Sequence, residues 1–191
     1  AYYWVNNNTT IGLGANGNGN IPAFTAVNTG NVPVTATITV TPAASGCNGT
    51  PQTFTITVNP IPSVVQPVNQ TLCNGAATNA ITFTGSVSNT IYNWSNNNTS
   101  IGLAAAGNGN IPAFTAVNTG NAPVTATVTV TPSAAGCAGT AQIFTITVNP
   151  TPDVVQPANQ IICNGATTNA VIFTGSVSGT IFNWTNNNTS I

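Results

Sequence analysis

Four cysteines, Cys47, Cys73, Cys137 and Cys163, are the only side chains in this 191-residue chain with redox chemistry, and Asp153 is its only acid. Lys, Arg and His are absent. Without histidine there is no imidazole base, and one carboxylate cannot form the pairs used in acid–base or glycosidase chemistry. One Asp cannot supply a calcium site. With no cation to neutralise phosphates, nucleic-acid binding is not expected. These absences predict a non-enzyme with no cofactor and no metal.

The cysteines sit inside a repeat. Trp4, Trp94 and Trp184 are 90 residues apart, as are the Asn-Asn-Asn-Thr runs starting at Asn6, Asn96 and Asn186. Residues 11–100 match residues 101–190 at 70 of 90 positions. A period of that length suits a small autonomous domain better than a solenoid turn. The strongest punctuation is Asn59-Pro60-Ile61-Pro62 and Asn149-Pro150-Thr151-Pro152, where closely spaced prolines favour a stiff, extended connection. Boundaries placed there make 61–150 one complete repeat. Residues 1–60 are then the C-terminal part of one repeat and 151–191 the N-terminal part of the next. Neither partial copy is expected to close its own core, and the chain reads as a window onto a longer array.

Each repeat therefore carries two cysteines, and two pairings compete. Cys73 and Cys137 fall within the complete copy, leaving Cys47 and Cys163 to pair outside the window. The rival joins Cys47 to Cys73 and Cys137 to Cys163 across the linkers. The pairing within one copy is preferred, and it would stabilise by roughly 4 kcal/mol in the chain-entropy model. Two Cys and no His per copy are a poor zinc set. Disulfides would place the chain in an oxidising compartment outside the cytosol.

The elements that must position these residues are strands. Val and Ile total 35 residues against three Leu, and branching at Cβ favours a pleated sheet over a helix. Val124–Thr131 and Phe144–Val148 alternate apolar with Thr. Further strands are predicted at Val64–Val68 (an edge, because of Pro67), Ala80–Thr84, Ile91–Trp94 and Ala113–Asn118, the last with Phe114 or Val117 inward. About seven short strands in 90 residues predict an immunoglobulin-like β-sandwich. Trp4, Trp94, Trp184, Phe83 and Phe144 are its expected core. The longest apolar runs are about four residues, too short for a membrane span.

Three surface motifs have two readings each. The Asn-Asn-Asn-Thr runs, beside Tyr92 or Trp94 as stacking platforms, could bind sugars; as plain turns they exploit the ability of Asn to cap its own backbone. The turn is favoured. The Thr rows Thr35–Thr41 and Thr125–Thr131 are similar to the face of some ice-binding proteins, but also to any solvent-facing side of a strand in a chain that avoids charge. The wet strand face is favoured. Several Asn-x-Ser/Thr sequons, at Asn98 and Asn48 among others, are expected by chance in a chain with 30 Asn and 34 Thr.

Gln-Thr-Leu-Cys-Asn-Gly, Ile-Thr-Phe-Thr-Gly, Tyr-Asn-Trp, Ile-Pro-Ala-Phe-Thr-Ala-Val-Asn and Phe-Thr-Ile-Thr-Val-Asn-Pro together resemble the PKD-like repeat. Such repeats occur in giant cell-surface gliding adhesins of Bacteroidetes, exported by type IX secretion. The resemblance implies a tandem β-sandwich in a long extracellular fibre on the bacterial cell surface, serving adhesion and gliding. Its partners would be neighbouring repeats of the same chain, and surface glycans or other adhesin chains. Ser95-Asn96-Asn97-Asn98 stands where PKD domains often carry an acidic motif, so no calcium role carries over. An alternative is a filament subunit. Residues 151–191 contain the part that 1–60 lacks, so separate chains could complete one another head to tail.

Overall fold

Where Thr alternates with Val, Ile or Phe, every second side chain can face a dry interior, and the longest strands form there. The computed structural model describes residues 1–189. The first sheet holds β1 (Tyr2–Asn6), β2 (Asn16–Asn18), β3 (Val34–Ala44), β4 (Cys47–Asn48) and β5 (Gln52–Val58). Its centre is β3, which pairs with β1, β4 and β5. The second sheet holds β6 (Gln70–Cys73), β7 (Ile91–Asn96), β8 (Ala106–Asn108), β9 (Val124–Ala134), β10 (Cys137–Ala138) and β11 (Gln142–Asn149). Its main path is β6-β11-β9-β7-β8, with β10 folded back on β9. All pairs are antiparallel except β6 with β11, where Gln70–Cys73 run parallel to Ile146–Asn149. The chain is thus all-β, with two sheets and sandwich-like layering.

The layer over the second sheet is extended but is not a regular sheet. The strands expected at Val64–Val68, Ala80–Thr84 and Ala113–Asn118 do not form; isolated bridges join Ala77 to Thr115 and Ile81 to Ile111. The cause is local. Pro67 and Pro112 have no N–H to give a ladder. Side chains take over neighbouring donors: Asn110 Oδ1 accepts from Phe83 N–H at 2.9 Å, Thr78 Oγ1 from Phe114 N–H at 3.0 Å, and Asn74 Oδ1 from Asn118 N–H at 2.8 Å. β6, absent from the sequence expectation, replaces the Val64–Val68 edge.

Apolar side chains of this layer still point inward. Val64, Ile81, Phe83, Ile111 and Ala116 pack against Ala126, Val128, Val130, Phe144, Ile146 and Val148 of the sheet, with Trp94, Ile101 and Leu103 closing the core. Phe114 packs on that core, whereas Val117 faces outward. In the first sheet Trp4, Ile11, Leu13, Ala36 and Ile38 form a smaller cluster. Trp184 corrects an expectation: it is 72% exposed. Residues 151–189 contain no strand, so nothing closes over its indole.

Candidate functional site

The asparagine run is built into the fold, one residue at a time. Asn96 is buried, and its amide donates to the carbonyls of Leu103 at 3.1 Å, Ala104 at 3.3 Å and Asn98 at 3.1 Å. Its Oδ1 accepts from Asn98 N–H at 3.0 Å. Asn97 Oδ1 reaches β9 and accepts from Thr127 N–H at 2.7 Å. Asn98 caps the single turn Thr99–Ile101, accepting from Ser100 N–H at 3.1 Å and Ser100 Oγ at 2.7 Å. Asn6, Asn7 and Asn8 repeat this division of labour. With their Oδ1 atoms committed, these side chains serve as turn struts.

The two aromatic side chains beside this run, Tyr92 and Trp94, are packed into the fold. Trp94 is buried with Gly107 on its face. Tyr92 packs on Phe83, ring centroids 5.7 Å apart. The Thr rows lie on the outer face of each sheet, and facing hydroxyls bond across strands, Thr125 to Thr147 and Thr35 to Thr57, both at 2.9 Å. Among the described residues no three His, Cys, Asp or Glu cluster.

The cysteines are where the structure departs most from expectation. All four are free thiols. Cys73 stands in register with Asn149 at the lower end of the complete repeat, beside the Val148–Val124 pair. Cys137 pairs with Ala134 at the other end of β9. Ten residues of strand at ~3.3 Å each put about 33 Å between those ends, so the pairing expected within one copy cannot form. The cross-linker pairing fails inside one chain too. Cys47 pairs with Ala44 at the upper end of the first sheet, and the whole of both repeats separates it from Cys73.

What the chain does assemble is a junction. Pro60 and Pro62 are fully buried where the lower end of the first repeat meets the upper end of the second. Asn59 at the foot of β5 donates to Ala135 O at 3.0 Å. Gly139 lies against Pro62 O so closely that a Cβ would overlap it. Beyond the complete repeat, Asn74 donates to Thr151 Oγ1 at 3.2 Å. The prolines stand where the sequence puts a boundary, but the Asn59–Ala135 and Gly139–Pro62 contacts join residues far apart in the chain, and no local pattern records them.

The two partial repeats each present unused apolar surface. Phe54 is 44% exposed, while its counterpart Phe144 in the complete repeat is 1% exposed. Residues 151–189 expose Val154, Val155, Ile161, Ile172, Ile181 and Trp184. No helix among the described residues is long and apolar enough to cross a membrane. No protein-family model matches this sequence, and no curated protein is similar to it.

Proposed function

We propose that the chain is a non-catalytic structural repeat of a long extracellular fibre: a cell-surface adhesin stalk of immunoglobulin-like, PKD-like units, serving adhesion or gliding. The observation that carries this reading is the junction. Unlike ends of successive repeats meet, two buried prolines stiffen the crossing, and a hydrogen bond from the Asn59 side-chain amide to Ala135 O ties it. Repeats joined this way continue along one axis. At ~3.3 Å per residue, the 11 residues of β9 give a rise of about 36 Å per repeat.

The uncharged surface fits the same role. With one acid and no base, such a fibre is indifferent to the ionic strength of its surroundings. Its partners are neighbouring repeats first, with surface glycans or other adhesin chains as the further candidates. Electron micrographs of the native material test the reading. Thin fibres with an axial repeat near 36 Å support it, and compact globules overturn it.

A further inference from the structure

Two extended stretches of the complete repeat, 65–70 and 79–84, run antiparallel and are pinned together at both ends. At one end Val65 N–H donates to Thr84 O at 2.8 Å. At the other, the Gln70 carboxamide accepts from Asn79 N–H at 2.9 Å and donates to Asn79 O at 3.0 Å. Between the pins the stretches part. Pro67 has no N–H to give, and Gln66 and Asn69 hold their stretch against β11: Gln66 Nε2 donates to Ile143 O at 2.6 Å and Asn69 Oδ1 accepts from Thr145 N–H at 2.8 Å. The gap is a cavity of about 310 Å³ whose rim carries Val65, Val68, Ala80 and Thr82.

Backbone facing this cavity is unpaired. Ile81 exchanges hydrogen bonds with Ile111 at 2.9 and 3.0 Å, and Phe83 N–H goes to Asn110 Oδ1 at 2.9 Å, both on the far side of the stretch. Successive groups of an extended chain alternate in direction, so the N–H and C=O of Thr82 turn toward the cavity, the side on which Thr84 meets Val65. No group among the described residues bonds them.

Gln70 shows what such groups accept. Its carboxamide gives a donor and an acceptor to one residue, as a neighbouring strand would, and Thr82 offers the same pair unmet. The walls bear no charge, since Asp153 is the chain's only charged side chain, and a charged ligand would lose hydration without gaining a counter-ion. Val65 and Val68 are exposed and give the rim an apolar character. The volume lies at the lower end of the ~300–1,000 Å³ of ligand pockets, which suits a short run of residues and excludes a folded domain.

The same construction recurs in residues 155–174. Val155 N–H donates to Thr174 O at 2.8 Å, Gln160 and Asn169 exchange bonds of 2.9 and 2.8 Å, and a cavity of about 320 Å³ lies between. Ala158 and Ile172 stand there where the complete repeat has Val68 and Thr82. The frame is kept while its rim changes.

We propose that the cavity between 65–70 and 79–84 binds a neutral, extended peptide segment of a partner protein, which adds as a short strand on Thr82. Main-chain hydrogen bonds to Thr82 supply affinity, and Val65 and Val68 select among side chains. One such site is weak, and a row of repeats gains by avidity. The site lies within one repeat, so its failure would leave the fibre reading untouched.

The test titrates the isotope-labelled 191-residue chain with the capped tripeptide acetyl-Thr-Gln-Thr-amide, following amide chemical shifts and hydrogen exchange. Parallel titrations use acetyl-Thr-Glu-Thr-amide, the backbone N-methylated Thr-Gln-Thr peptide, and chitotriose. The expected result is shifts centred on Val68, Thr82 and Thr84, with slower exchange of Thr82 N–H. The glutamate and N-methylated peptides should bind about tenfold more weakly, the effect of losing a hydrogen bond or stranding a charge. Thr82→Pro removes the donor while the bonds to Ile111 and Asn110 remain, and should abolish binding. Thr82→Val keeps the backbone groups and should bind as the parent does.

No shift up to the solubility of the peptide, shifts centred elsewhere, or undiminished binding by Thr82→Pro overturns the proposal. So does equal binding of the N-methylated peptide, which decides alone if Thr82→Pro does not fold. Chitotriose binding more tightly than the peptide at the same residues overturns it in favour of a glycan site.

Discussion

Gly107 lies flat against the indole of Trp94, so close that a methyl group on its α-carbon would overlap the ring atoms Cζ2 and Cε2. Gly17 meets Trp4 in the same way. The glycine is required by packing, since neither residue needs a left-handed backbone. Gly107→Ala should cost about 1–3 kcal/mol, the range for overpacking a filled core. Urea unfolding followed by tryptophan fluorescence measures it, and an unchanged midpoint would show the indole free to move.

Asn96 is the strut on which the turn depends. Asn96→Ala leaves the carbonyls of Leu103 and Ala104 without their donor, and buried unpaired groups cost about 1–3 kcal/mol each. Asn98→Ala removes only a cap, worth about 1 kcal/mol. The two variants should therefore rank Asn96 below Asn98 in thermal midpoint. Equal midpoints would demote the buried amide to an incidental contact.

Asp153 is the one acid, and it holds a serine. Its carboxylate accepts from Ser176 N–H at 2.6 Å and from Ser176 Oγ at 2.7 Å, and these bonds hold its carboxyl below the ordinary value of 3.8. A depressed folded value stabilises fully above the unfolded one, and that contribution is lost as pH falls through the folded value. The segment should therefore loosen only below pH 3.8, and Asp153→Ser, which copies Ser63, should remove the step. Amide exchange of Ser176 against pH reads it directly. No side-chain type titrates between about pH 5 and 7 without His, so stability there should be flat.

Salt separates this chain from most others. Raising sodium chloride from about 0.05 to 1 M screens charge pairs, and with no Lys, Arg or His the side chains form none between themselves. The unfolding midpoint should hold constant, whereas sodium sulfate should raise it by strengthening apolar burial. A midpoint that shifts with chloride would contradict a fold held by amides, hydroxyls and packing alone.

Tryptophan accessibility provides a fifth check. Trp4 and Trp94 are buried and Trp184 is exposed. Acrylamide should quench one of the three tryptophans in the monomeric chain, and Trp184→Phe should remove that fraction.

Much of this was legible from the residues. Alternation along Val124–Thr131 and Phe144–Val148 predicts strands and their buried faces correctly, because period-two patterning is a local signal. Trp94, Phe83 and Phe144 are buried as expected. The irregular second layer was not legible. There Asn74, Thr78 and Asn110 intercept backbone donors from positions 27 to 44 residues away, and no local pattern records such a contact. The ends occupied by Cys73 and Cys137 were also hidden, because they depend on β6 running parallel to β11. An antiparallel first strand would have reversed that end.

That parallel pair has a mechanical consequence. The linker enters the repeat beside Gly139 at one end and leaves through Asn149 and Pro150 at the other. Tension along the row therefore pulls β6 and β11 in opposite senses along their length. The register pairs from Ile146–Gln70 to Asn149–Cys73 are loaded in shear and must slip together, whereas a hairpin pulled from its open end unzips one bond at a time. In the complete repeat the first and last strands, β6 and β11, would thus resist extension together.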